Sequence, residues 1–236
     1  MRASKEFSRF AESYKKYNII QKKVAKELVS SLQNRSYNRV LDIGCGDGEI
    51  FKNLNKNHIQ FNHLTAIDMA IGMLNIHPKE SKISLIEGDF SIDETFHKLP
   101  FNRYDIAISS SALQWSPNLD TTLLNISKIS NEISFAIFTS KTFSSLHKCA
   151  DIKSPIYSEE YLKTKIERYF NAQYNSIDYK LYFETVYEML RYIKISGVSG
   201  GESKLSYREI KQLIRDYPLN HLEFNVIFVR GSSKDI

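Results

Sequence analysis

The sequence is short of the residues that mark special-purpose chains. Its 236 residues include two cysteines, five prolines and nine glycines. Two thiols, Cys45 and Cys149, cannot build a disulfide framework. With 42% apolar and 25% charged residues, a wholly disordered chain is excluded as well. No apolar run of about 18 residues occurs, so no membrane-spanning helix is expected. The opening MRASKEFSRF is basic but has no apolar stretch behind it, so no secretory signal is expected either. A reducing cytosol is the expected compartment. Histidines 58, 63, 77, 97, 147 and 221 show no clustered ligand spacing, so core or surface roles are expected and no metal site. H-E-x-x-H, G-x-S-x-G and G-x-x-x-x-G-K-[ST] are missing too, which removes support for a metalloprotease, a serine hydrolase or a P-loop enzyme.

What is present is unevenly placed. Three of the nine glycines, Gly44, Gly46 and Gly48, fall within five residues. Residues 1–35 hold nine Lys/Arg against three Asp/Glu, whereas the rest of the chain holds 23 against 24. The net charge of +5 therefore belongs to the N-terminal arm.

Periodicity predicts an amphipathic helix over 7–32, where Phe7, Phe10, Tyr14, Tyr17, Val24, Leu28 and Leu32 share one face. Strands are expected at 39–43, 61–68, 83–86, 104–108 and 133–139, separated by helical segments near 50–54, 69–75 and 119–130. Beyond residue 140 the pattern predicts helix over 158–169, strand over 174–183, helices over 184–195 and 206–217, and a last strand over 222–229. Strands alternating with helices imply an α/β fold with a mostly parallel sheet. A single domain over 1–236 is expected: a basic helical arm over 1–35, a core over 39–140, and a C-terminal half over 141–236 with a helical cap near 184–217.

The strongest signal is Val40-Leu41-Asp42-Ile43-Gly44-Cys45-Gly46-Asp47-Gly48. A strand ends, glycines permit a tight turn and close ligand approach, and a helix begins. The dinucleotide fingerprint G-x-G-x-x-G does not fit, because position 49 is Glu and the third glycine comes one residue early. The arrangement D-x-G-x-G-x-G instead resembles the first motif of class I S-adenosylmethionine (SAM) methyltransferases. That resemblance implies a Rossmann-like, seven-stranded twisted sheet with helices on both faces and an antiparallel C-terminal strand. It also implies contacts at successive strand ends: Asp42, Gly44 and Gly46 on the cofactor, Asp68 and Met69 at the ribose, and Asp89 and Phe90 around the adenine. Ser109 and Ser110, where the fourth strand ends, are expected at the cofactor as well. Plainer roles compete, since Asp68 can cap the helix beginning near Ala70 and Phe90 can be core. The D/N-P-P-Y/F/W element is missing, against methylation of an exocyclic base nitrogen, and neither cysteine has the Pro-Cys setting of cytosine-C5 enzymes.

Three segments are similar to a narrower family, the malonyl-[acyl-carrier protein] O-methyltransferases of biotin synthesis. They are Phe7-x-x-Phe10-Ala11-x-x-Tyr14 with Gln21, the stretch Ala112-Leu113-Gln114-Trp115, and Leu190-Arg191-x-x-Lys194-x-x-Gly197. The resemblance implies SAM as methyl donor, S-adenosylhomocysteine as product, no metal, and a malonyl-loaded acyl carrier protein as partner. It places Gln21 at the cofactor and Tyr14, Gln114, Trp115, Arg191 and Lys194 at the substrate. No catalytic base is expected, because a carboxylate with a pKa of about 4 is already ionised. Arg191 can hold it in bidentate fashion with Lys194 one turn on. Without the resemblance, Arg191 and Lys194 read as a solvated face, and Trp115 and Tyr14 as packing. A free small acid or metabolite is the alternative acceptor. The basic arm also suits RNA, although an acidic carrier protein answers to the same field. A SAM-binding module without catalysis is the non-enzyme alternative.

Overall fold

The computed structural model describes residues 17–196 and 207–234, with the side chains of 194–196 and 207 outside that description. Helix α1 (Ile19–Ser30) leads into β1 (Ser36–Ile43), α2 (Glu49–Lys56), β2 (Gln60–Asp68), α3 (Ile71–Ile76), β3 (Ile83–Glu87), α4 (Asp93–His97) and β4 (Tyr104–Ser110). A 3-10 turn (Leu113–Trp115) precedes α5 (Leu119–Ile129), β5 (Ser130–Phe138), α6 (Ser144–Cys149), α7 (Glu159–Ile166) and β6 (Phe170–Tyr182). Helices α8 (Val186–Ser196) and α9 (Tyr207–Asp216) then precede β7 (His221–Ser233).

The strands form one seven-stranded sheet in the order β3-β2-β1-β4-β5-β7-β6. β1 to β5 are parallel, and β7 inserts antiparallel between β5 and β6. Alternation along β1 divides the core. Val40 packs with Ile20, Val24 and Leu28 of α1 and Ile50 and Leu54 of α2. Leu41 and Ile43 pack on the other face with Leu123 and Ile126 of α5 and Leu162 of α7. Helices thus cover both faces, as the sequence led us to expect.

Several expectations change at their edges. The described part of the 7–32 helix is Ile19–Ser30, and residues 7–16 lie outside the described residues. The short α4 and α6 are additions, since five or six residues are too few to show a helical period. β6 starts at Phe170, not 174, and β7 runs to Ser233, not 229. Their antiparallel ladder continues from Tyr182↔His221 to Phe170↔Ser233. Pairing between these two strands, which are far apart in sequence, supplies the hydrogen bonds, so polar residues such as Asn171 and Gln173 join strands that local propensity ends earlier.

The bottom of α1 is pinned at the N-terminal edge of the sheet. Ser31 O accepts from Arg230 Nη1 at 2.6 Å, and Asn34 Nδ2 donates to Glu132 at the start of β5. Leu28, fully buried between α1 and the sheet, should lose about 2–5 kcal/mol of unfolding free energy as Leu28→Ala, read by urea denaturation.

Candidate functional site

Strand order reverses between β1 and β4, because β1 continues toward β2 and β3 on one side and β4 toward β5 on the other. At such a switch point the loops leaving the carboxyl ends diverge and open a crevice. The glycine turn leaves β1 here and Ser111-Ala112 leaves β4.

The two loops touch. Gly44 has φ +71°, and a Cβ there would lie 2.2 Å from Ala112 Cβ and 3.5 Å from the Phe90 ring. Gly46 has φ +53°, but a Cβ there would meet nothing within 4 Å, so its backbone is bare toward open space. Gly44 and Cys45 both donate their amides to Ile67 O, at 2.8 and 2.9 Å, which hangs the turn on β2. Asp68 completes the tie: Oδ2 accepts from Gly46 N and Oδ1 from Ala70 N, each at 2.8 Å. Asp68 thus plays a double role on the backbone, holding the glycine turn and the chain just ahead of α3, but it does not cap α3, whose first turn takes no side-chain cap. Met69 follows it, partly buried.

Asp42 is fully buried on the α1 side of the sheet, with no hydrogen-bond partner on either oxygen. Burial, and then the neighbouring Asp68 charge, push its carboxyl well above the usual range. Asp68 is raised as well, burial outweighing the backbone amides that hold it. Asp89 accepts at Oδ1 from Ser91 N and Oγ, at 2.8 and 2.5 Å, and Phe90 is buried with its edge toward Gly44. Ser109 Oγ donates to Ile43 O at 2.8 Å, clamping β4 to β1. Ser110 and Ser111 hydroxyls are buried without partners. Ser111 also has φ +61°, a left-handed conformation that costs a serine on the order of 1 kcal/mol.

Gln114 is buried beneath this loop, Nε2 donating to Ser111 O at 2.6 Å while Oε1 is unpartnered. Trp115 beside it is partly buried. Gln21 on α1 also has an unpartnered buried oxygen. Arg191 is exposed on α8. Tyr14 and the Lys194 side chain lie outside the described residues. Sequence reasoning passed over Asn18, which is 1% exposed with both amide atoms unpartnered; its spacing of three from Gln21 was the available signal. A separate polar hollow of ≈ 370 Å³, lined by Asn34, Tyr37, Asn38, Asp105 and Glu132 among others, lies at the opposite edge of the sheet.

A methyltransferase-domain family model matches residues 40–131, from β1 into β5. The malonyl-[acyl-carrier protein] O-methyltransferase of Acetivibrio thermocellus is 30% identical over 240 residues, covering 89% of this chain and 83% of that protein. The chain belongs to the malonyl-[acyl-carrier protein] O-methyltransferase family. The protein of the same name from Priestia megaterium is 32% identical over 155 residues, 61% of this chain. The matched stretch spans about half the length of that relative and of the Bacillus cereus one, 54% and 55% respectively. Among solved structures, Bacillus subtilis YcgJ superposes with a TM-score of 0.64 at 14% identity, over 90% of this chain and 99% of that one. A putative methyltransferase from Bacillus halodurans gives 0.62 at 11%, over 88% and 97%. These two show the shared Rossmann-like fold.

Two features of this family member's cleft are open to direct test. Gly44→Ala should destabilise the fold by several kcal/mol, because the new methyl meets Ala112 Cβ. Gly46→Ala should cost only the backbone strain of about 1–2 kcal/mol; urea titration separates them. For Asp42 the sign follows from its raised pKa. Such a carboxyl destabilises the fold at neutral pH, and the penalty fades as pH falls through the raised value toward the unfolded one. Asp42→Asn should therefore raise the melting temperature of the ligand-free protein by a few degrees, about 2–4 °C per kcal/mol, and the gain should shrink on acidification.

Proposed function

We propose that the chain is a SAM-dependent O-methyltransferase acting on the free carboxylate of a malonyl thioester carried by acyl carrier protein, at the start of pimeloyl and biotin synthesis. The observation carrying this reading is the match to a relative of that name over most of both chains. The cleft suits the donor: a glycine turn bare at Gly46, a carboxylate at the end of β2, and buried polar atoms left unpartnered around them. SAM supplies a methyl group already activated on a sulfonium.

In this reading Asp68 accepts from the ribose hydroxyls with the lone pairs that Gly46 and Ala70 leave, and Met69 packs beside it. Asp89 takes the adenine amine and Phe90 backs the ring. Gly46 admits the ligand against bare backbone, Gly44 lets the turn pass Ala112 at the cofactor, and Gln21, Asp42 and Ser110 lie at its amino-acid end. Ser109 serves by positioning, since its hydroxyl is committed to Ile43 O. In the same reading the chain is a single domain, with a basic arm over 1–35, a core over 39–140 and a C-terminal half carrying the cap near 184–217. Gln114, Trp115 and Tyr14 bound the acyl side, and Arg191 with Lys194 takes the acceptor carboxylate.

A carboxylate needs alignment more than deprotonation, because its pKa of about 4 leaves it ionised at neutral pH. An acidic carrier protein is drawn to the basic arm by long-range charge. The deciding experiment is mass spectrometry of malonyl-loaded carrier protein incubated with SAM. One methyl gained on the acyl carboxylate is expected, and methylation of a different acceptor in its place overturns the reading. Arg191→Ala should raise KM for the loaded carrier about tenfold while leaving S-adenosylhomocysteine affinity unchanged. Unaltered KM and kcat would remove Arg191 from the site.

A further inference from the structure

The residue just before α1 carries a buried amide that the fold itself does not use. Asn18 precedes α1, its carbonyl accepts from Lys22 N at 3.0 Å, and its side chain is 1% exposed with Nδ2 and Oδ1 both unpartnered. Burying an amide without hydrogen bonds is costly, and native folds seldom do so. Its place in the fold shows what can repay that cost.

Helices α1 and α2 end level, since Ser30 Oγ donates to Asn57 Oδ1 at 3.4 Å just past α2. α1 has 12 residues and α2 has eight, so α1 reaches roughly one turn farther toward the carboxyl edge of the sheet. Asn18 therefore stands above the level of the glycine turn, where α2 begins. Gln21 follows one turn on, with its Oε1 buried and unpartnered. From the sheet, Asp42 shares the face of Val40 and Ser110 shares the face of Ile106 and Ile108, which is the face packed by α1. Both also carry buried, unpartnered oxygens.

This set is rich in acceptors: two oxygens of Asp42, Oε1 of Gln21 and Oδ1 of Asn18. Its firm donor is Asn18 Nδ2. A group pairing with all of them donates several protons, carries positive charge, and has an acceptor beside it. An α-amino acid end does this, its ammonium facing the acceptors and its carboxylate taking the amide N–H. We infer that Asn18 is a binding residue for the α-amino-acid end of the methyl donor, closing from α1 a chamber whose floor is Asp42 and Ser110. The inference rests on the proposed donor for the ligand's identity. Asn18 adds a donor and an acceptor together, which neither Asp42 nor Ser110 supplies as an amide.

The test is calorimetric titration of the intact protein with S-adenosylhomocysteine and with 5′-methylthioadenosine, which lacks the amino-acid end. Asn18→Leu keeps the shape and removes both hydrogen-bonding atoms; Asn18→Ala serves as the second variant. S-adenosylhomocysteine affinity should fall about tenfold or more, while methylthioadenosine affinity stays within about twofold. The melting temperature of the ligand-free variant should hold or rise, because an unpartnered amide has been removed. An unchanged ratio of the two affinities, or a lower ligand-free melting temperature, would overturn the role of Asn18. Failure of the unaltered protein to bind S-adenosylhomocysteine would instead overturn the donor reading.

Discussion

Everything at the carboxyl edge of this sheet depends on how closely the chain can pass where β1 and β4 part. Gly44 and Ala112 approach so tightly that one added methyl would overlap another at 2.2 Å. The two departing loops can pass this closely only because Gly44 has no side chain. Ile67 O and the Asp68 carboxylate then hold the glycine turn from β2. Three strand ends are thereby locked to one another by one steric contact and a few hydrogen bonds. The bare backbone of Gly46 is left facing the opening.

Around this rigid turn the protein tolerates polar groups that a purely structural core would exclude. Asp42 is buried with no counter-charge on either oxygen, and Asn18, Gln21, Ser110 and Gln114 contribute further unpartnered atoms. Such groups subtract from a stability that is only a small difference between large terms. They concentrate on the α1-facing side of one edge of the sheet and in the loop after β4. The opposite edge behaves differently: Asp105 accepts from the backbone amides of Asn38 and Arg39, and Glu132 accepts from Asn34. Other buried atoms, at Ser134 and Tyr174 for example, are unpartnered too, but the set beside the glycine turn is the one that includes a carboxyl.

The uneven charge acquires a sense within this frame. α1 lies over the face where the unpartnered groups gather, with Lys23 and Lys26 exposed on its outer side. Its apolar side, through Ile20, Val24 and Leu28, packs on the sheet. The same helix thus joins the interior of the cleft to a basic exterior.

Much of the cofactor half was legible because it is local. A strand, a glycine turn and a helix follow one another within a few residues, so D-x-G-x-G-x-G stands out in the sequence, and the resemblance it carries is what pointed to Asp68 and Asp89-Phe90 at the next strand ends. The alternation of strands and helices likewise determined the α/β class, since each period reports which face is buried. What the sequence left open depends on contacts between distant segments. The extra length of β6 and β7 comes from antiparallel pairing between two strands that α8 and α9 separate in sequence. The double role of Asp68 depends on β1 and β2 lying side by side, and the commitment of Ser109 on the junction of β4 with β1. Asn18 offers only its spacing of three from Gln21, being one polar residue at a helix start. Only the packing of α1 against the sheet strips it of water and leaves its amide without a partner, because burial and unmet hydrogen bonds are properties of the assembled fold.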